Sequence, residues 1–348
     1  MVLLVISKRQ LACVAALALL PAITWADHRV GVFGPSAGGP VVTPTANTLP
    51  AGNWSLGIYN EYRRFDTPNR NALQAQAAAE GGHVHSLRDL WSPSLAVSYG
   101  LDDRVTLAAA LPYVKRSGLQ EAHVHASGTT GVHELGDSAG LGDISLTGYW
   151  RFWENRRGSA AALSFGTFLP TGATDERDEE GERLGTEHQP GSGAWRPFAG
   201  VTVSRELAAL GWHAHLRYTW ATEGAQETDL GDRIDYGVAL SYRLTGTTEQ
   251  PAPHEHGPGA SDHHHQDDEH LQWDLLLELN GEYQRPQRIG GMAEGGSERI
   301  VYLAPGLRAT GNSGWTAALS LGVPVSQQAG AGHIETDWRA LATAGYAF

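Results

Sequence analysis

From Trp54 to its last residue the chain alternates. Stretches of about ten residues place apolar side chains at every second position, and Gly-, Asp- and Asn-rich breaks separate them. The pattern predicts strands over 54–65, 90–99, 104–115, 142–153, 160–169, 196–205, 212–222, 233–244, 272–284, 299–308, 315–325 and 337–348. In the fourth, Ile144, Leu146, Gly148, Trp150 and Phe152 stand opposite Asp143, Ser145, Thr147, Tyr149 and Arg151. In the seventh, Trp212, Ala214, Leu216, Tyr218 and Trp220 oppose His213, His215, Arg217 and Thr219. The last ends on Trp338, Ala340, Ala342, Ala344, Tyr346 and Phe348 along one face. Successive side chains of a strand point to opposite faces, so each segment has one apolar and one polar or small face. A soluble sandwich would turn the aromatic faces inward. A strand with lipid on one side and a lumen on the other leaves them outside, which predicts an all-β fold: a single antiparallel transmembrane β-barrel of about 12 strands.

Both ends agree with that reading. Lys8 and Arg9 precede an apolar run from Leu11 to Leu20, and Thr24-Trp25-Ala26 is a small-x-small cleavage site. Residues 1–26 therefore read as a secretory signal peptide, too short in its apolar part to span a bilayer. The terminal Phe348 resembles the signal by which the barrel assembly machinery recognises outer-membrane barrels. The expected location is the outer membrane of a Gram-negative cell, with membrane lipid and the assembly machinery as partners. The single cysteine, Cys13, lies within the signal, so disulfides and cysteine metal sites are excluded from the mature part. Without Lys8 and Arg9 the formal charge moves from −13 to about −15, which excludes nucleic acid as a partner, since phosphate recognition needs a basic stripe.

The connections alternate as well. Leu101-Asp102-Asp103, 154–159 and 310–314 are short, whereas 66–89, 116–141 and 170–195 are long. Outer-membrane barrels have short periplasmic turns and long outer loops, so the long ones face outward and both termini face the periplasm. The stretch 245–271 breaks the rule, being long yet periplasmic by parity. Residues 27–53 have no strand period; Gly and Pro around 31–40 forbid a regular ladder, which leaves a periplasmic tail or a plug folded back into the lumen. The domain plan is thus 1–26 signal peptide, 27–53 Gly/Pro-rich periplasmic or plug segment, and 54–348 barrel with a His-rich insertion at 245–271.

Several short stretches carry a family resemblance. They are Thr48-Leu49-Pro50-Ala51-Gly52-Asn53-Trp54, Ser92-Pro93-Ser94-Leu95 with Tyr99-Gly100-Leu101, Leu111-Pro112-Tyr113-Val114, Gly140-Leu141-Gly142-Asp143, Leu169-Pro170-Thr171-Gly172 and Gln189-Pro190-Gly191-Ser192-Gly193. In this order the chain resembles the outer-membrane transporters grouped with the meta-pathway phenol-degradation proteins. The resemblance implies a transport role, in that family often inferred for hydrophobic compounds, and brings no catalytic residues.

Histidine supplies the candidate chemistry. Four pairs have the spacing His-x-His: His83/His85, His123/His125, His213/His215 and His254/His256. Residues two apart on a strand share a face, and two neutral imidazoles can ligate Zn, Cu or Ni. His263, His264, His265 and His270 stand with Asp262, Asp267, Asp268 and Glu269 in a tract of a composition that binds metal loosely. No cofactor is required by any of this. The lumen face is expected to carry Glu61, Arg63, Asp143, Arg151, Arg217, Asp235, Arg243, Asp274, Glu278, Glu282, Arg308 and Arg339, which could zip the barrel shut or form a charged constriction. The third outer loop holds Asp175, Glu176, Asp178, Glu179, Glu180, Glu182 and Glu187, read as a solvated acidic surface. Ser204 lies one hairpin from His213 and His215, but no motif sets a nucleophile against a base, so no enzyme is expected. The sequence reads as a channel or transporter for small solutes, with divalent metals a further link. A metal-binding barrel without flux, and uptake of hydrophobic or aromatic compounds, are the alternatives.

Overall fold

Alternation along the chain becomes inside and outside of a closed wall. In the computed structural model, residues 39–80, 83–125, 127–244, 271–328 and 335–348 are described. The signal segment and almost all of the His-rich insertion lie outside them. Twelve antiparallel strands form the barrel: β1 Trp54–Phe65, β2 Asp89–Asp102, β3 Val105–Val124, β4 Ser145–Glu154, β5 Ser159–Phe168, β6 Arg196–Glu206, β7 Leu210–Thr219, β8 Arg233–Arg243, β9 Leu271–Gln284, β10 Glu298–Gly311, β11 Trp315–Gln328 and β12 Thr336–Ala347. Each pairs with its sequence neighbours, and β12 returns to β1 with Ser55 opposite Ala347 and Arg63 opposite Arg339. Closure satisfies every edge, which is the condition for placing strands in lipid.

Polarity is inverted relative to a water-soluble protein. Leu56, Leu95, Leu107, Leu216, Leu275 and Leu319 are exposed, while Glu61, Arg63, Asp143, Asp235, Glu278, Glu282 and Arg339 are buried. An apolar belt outside and a charged interior define a membrane barrel, and this one sits in the outer membrane. Aromatic rings mark its rims. Trp54 and Tyr99 meet at 4.7 Å, and Tyr346 and Phe348 stack at 5.7 Å, at the end where the chain termini lie. Trp150, Phe152, Trp220 and Tyr346 face outward, and His213 is 1% exposed inside, so the register expected for β4, β7 and β12 is the one found.

Several elements go beyond the pattern in the sequence. Strand β3 continues past its expected end and pairs through Val124 with Thr130–Leu141, so the stretch 116–141 is largely a projecting hairpin. Beneath it β3 holds β4 only over Val105–Ala110, the shortest seam of the wall. The first outer loop contains helix α1, Arg70–Glu80, whose first turn is capped by Asn69 Oδ1 accepting the Ala72 N–H at 3.0 Å. Its Leu73 and Ala77 pack on Val84 and Ala122, tying the loop to the hairpin. The connection between β8 and β9 leaves from the periplasmic ends of those strands, where the Leu244 N–H donates to the Trp273 carbonyl at 2.8 Å, so the strand count behind that placement stands.

Candidate functional site

The lumen is built in levels, each supplied by the inward face of several strands. Its upper half holds a line of ion pairs that runs from one wall to the opposite one. On β1, Arg63 reaches Glu61 at 2.9 Å and Glu282 of β9 at 3.9 Å. Glu282 also pairs with Arg339 of β12 and Arg233 of β8, both at 3.4 Å. Arg233 meets Asp235 at 2.6 Å, and Asp235 meets Arg217 of β7 at 2.8 Å. In a ring of twelve, β1 and β7 face each other, so these side chains span the bore. Arg63 and Arg339 are neighbours across the β1–β12 seam, an arrangement that would repel without Glu282 between them. Arg339 also lies 3.7 Å from the centroid of the Tyr302 ring, a cation–π contact between two fully buried side chains. A second cluster, Asp274 with Arg308 at 3.0 Å and Arg243 at 3.7 Å, sits near the periplasmic end.

Between these levels lies the chain's own leading segment. Residues 39–53 run inside the barrel, with Val41, Thr43, Ala46 and Leu49 buried. Three successive backbone N–H groups, of Val41, Val42 and Thr43, donate to the Glu278 carboxylate at 2.8–3.2 Å. The Ala46 N–H donates to Ser204 Oγ and the Leu49 N–H to Thr106 Oγ1, each at 2.8 Å. Val41 packs with Tyr59, Leu276, Ala318 and Leu341, and Ala46 with Ala160 and Ala162. Pro40 and Pro44 lack the N–H that a ladder needs, so the segment stays apart from the wall and borrows acceptors from it.

The outer mouth is filled from the other side by residues 169–195, between β5 and β6. Asp143 gathers this loop, accepting the Gly172 N–H and the Ser192 N–H at 3.0 Å each. Gly172 and Gly191 are packed so closely that a Cβ on Gly172 would lie 2.6 Å from the Gly191 Cα. The carbonyl of buried Gln189 accepts from Arg116 at 3.1 Å, and Leu184 joins a buried cluster with Phe65, Leu90, Val114, Ile300 and Tyr302.

The histidines expected to ligate metal are sorted by this architecture. His213 has Ser204 Oγ 2.9 Å from its Nδ1 and Glu206 3.5 Å from its Nε2, and lies in the lumen wall with His215 beside it on β7. His83 and His85 do not act together. His83 contacts Glu121 and stacks 6.0 Å from His123, while His85 turns to His188, with His85 Nδ1 and His188 Nε2 2.7 Å apart. His123 lies 4.4 Å from His125 and 4.8 Å from His133, a ring cluster on the projecting hairpin. His254, His256, His263, His264, His265 and His270 lie outside the described residues. His133, His188 and Glu187 were missed by spacing alone; the signal for His188 is that it closes an acidic loop beside Glu187.

A closed barrel of this polarity is an outer-membrane β-barrel protein, and its bore is the place where solute would pass. Residues 107–266 match the family described as "Putative MetA-pathway of phenol degradation", a span that includes the stretches at 111–114, 140–143, 169–172 and 189–193 and begins after those at 48–54 and 92–101. Among solved structures, an outer membrane channel from Pseudomonas putida F1 is similar at 16% identity, over 87% of this chain and 98% of that one, with a TM-score of 0.52. That likeness shows the fold. The Ralstonia pickettii toluene transporter TbuX is similar at 9% identity, over 92% of this chain and 95% of that one, with a TM-score of 0.38. No curated protein matches the chain.

Proposed function

We propose that the protein is an outer-membrane channel for small solutes whose bore is closed by its own leading segment. The observation that carries this reading is the manner of attachment of residues 39–53. They hold the wall through backbone donors to Glu278, Ser204 and Thr106 and contribute no strand to it. Only Gly52 and Asn53, at the entry to β1, meet the ladder through Gly100, so the segment before them can leave without opening the barrel. The charged interior favours polar or ionic solutes over the hydrophobic compounds implied by the family resemblance, because Phe168, Phe198 and Tyr302 inside the lumen lie beneath Arg196, Arg217 and Arg339. Catalysis is not part of this reading. The Ser204 hydroxyl sits against His213, but it accepts the Ala46 N–H and serves to seat the segment.

The test is deletion of residues 27–53 behind an intact signal peptide, followed by single-channel recording and liposome swelling with sugars and amino acids. Conductance and swelling should rise while heat-modifiable gel mobility shows a folded barrel. A folded deletion variant with wild-type conductance would overturn the reading.

A further inference from the structure

The outer mouth contains a second feature that the channel reading does not use. His85, on the short strand Val84–Ser86 of the first outer loop, meets Glu187 and His188 at the end of the third. Their potential ligand atoms all lie within 4.8 Å of one another. His188 is buried, and Glu187 Oε2 is buried with no hydrogen-bond partner among the described residues. A buried carboxylate oxygen left without a donor beside two imidazoles is costly as protein alone and natural as a metal ligand.

We propose that His85 Nδ1, His188 Nε2 and the Glu187 carboxylate bind one divalent transition-metal ion of the Zn, Ni or Cu class, which staples the first outer loop to the third across the mouth of the barrel. Two imidazoles and a carboxylate are the ligand set for such ions, whereas calcium and magnesium prefer oxygen alone. Donors held about 2.0–2.2 Å from a tetrahedral ion stand roughly 3.3–3.6 Å apart, so the two rings would part slightly and the carboxylate would close in. The proton now shared between the facing ring nitrogens moves to the far nitrogen of the same ring, and both imidazoles remain neutral. Three protein ligands leave a position for water, so the ion can exchange. The consequence lies in the connectivity: the loop that carries Glu187 and His188 also carries Leu184 and Gln189 into the mouth. An ion at this site therefore holds the outer stopper in its seat.

The full chain in detergent micelles, titrated with Zn2+ in a calorimeter, tests the proposal by difference, since histidines elsewhere bind equally in all variants. His85→Gln and His188→Gln should each lose one site from the wild-type set, and Glu187→Gln should weaken that site by about tenfold or more. The staple predicts a second readout. Zn2+ should slow tryptic cleavage at the exposed Arg177 and Arg183 of the wild-type loop and leave the His188→Gln rate unchanged. Equal stoichiometry and affinity in wild type, His85→Gln and His188→Gln would overturn the site. Protection that survives in His188→Gln but disappears in His123→Gln would assign it to the ring cluster on the hairpin instead.

Discussion

Two segments enter the bore from opposite ends, and they are held in different proportions by backbone donors and by side chains. From the periplasm, residues 39–53 present backbone N–H groups to side chains of the wall: Glu278, Ser204 and Thr106. From outside, residues 169–195 add their own side chains to the backbone donors that Asp143 accepts, with Leu184 packed among Phe65, Leu90 and Tyr302 and the Ser192 hydroxyl donating to Asp143. Backbone donors exist at every residue but proline, so the first stopper depends little on its own sequence and much on the wall. The second depends on its own residues. A stopper of the first kind can be withdrawn whole. A stopper of the second kind can be tuned one residue at a time, which is where a ligand could act on it.

The largest effect expected is that of removing the inner stopper. Deletion of residues 27–53 should raise conductance in single-channel recording, and most of all when combined with Leu184→Ala, since the outer loop still sits in the mouth once the inner segment is gone. Leu184→Ala tests the outer stopper and comes next. Truncating this buried leucine should cost roughly 2–3 kcal/mol of loop seating. The outcome is measured as faster tryptic cleavage at Arg177 and Arg183, with conductance still low because the inner segment remains. If Leu184→Ala alone opens the pore fully, the two stoppers are not distinct and the comparison fails.

The wall and its register were legible in the sequence because lipid leaves no choice. A strand with hydrocarbon on one side must be apolar at every second residue, and Leu56, Ile58, Leu216, Tyr242 and Leu319 obey. Where the chain rises out of the membrane that demand ends. Strand β3 therefore loses its apolar outward row at Lys115 and Ser117 while its ladder with Thr130–Leu141 continues. Helix α1 was hidden for a related reason, since an outer loop needs only a small apolar stripe, here Leu73 and Ala77. The histidines show the same limit. Spacing groups His83 with His85, but the partner that His85 meets is 103 residues away, brought there by the loop between β5 and β6. Residues two apart on an edge strand share a face without sharing a ligand.

Glu278→Gln sharpens the account of the inner stopper. The amide keeps its shape and one acceptor, but hydrogen bonds to a charged acceptor exceed neutral ones, so the seat should weaken by about 1.5 kcal/mol. An order of magnitude in the fraction of open channels corresponds to about 1.4 kcal/mol, so brief openings should become visible in recordings where the wild type shows few. Unchanged closure in Glu278→Gln would mean that packing of Val41 against Tyr59 and Leu276, and not the carboxylate, retains the segment.

Ser204→Ala is the mildest change and decides between two roles for one hydroxyl. Ser204 Oγ accepts the Ala46 N–H at 2.8 Å and lies 2.9 Å from His213 Nδ1, with Glu206 on the other ring nitrogen. The row of serine, histidine and carboxylate has the composition of an activated nucleophile, but Glu206 is 47% exposed in its side chain and the hydroxyl is occupied by the inner segment. As a seat, the residue contributes one neutral hydrogen bond, so alanine should cost about 1 kcal/mol and raise open probability several-fold. As a nucleophile, it should give the wild type an esterase activity that the variant lacks, most clearly after deletion of residues 27–53 has uncovered it. Measuring hydrolysis of a fluorogenic acyl ester by the deletion variant, with and without Ser204→Ala, separates the two. Equal background rates with an altered conductance assign the hydroxyl to the stopper, and a serine-dependent rate would give the emptied lumen a chemistry of its own.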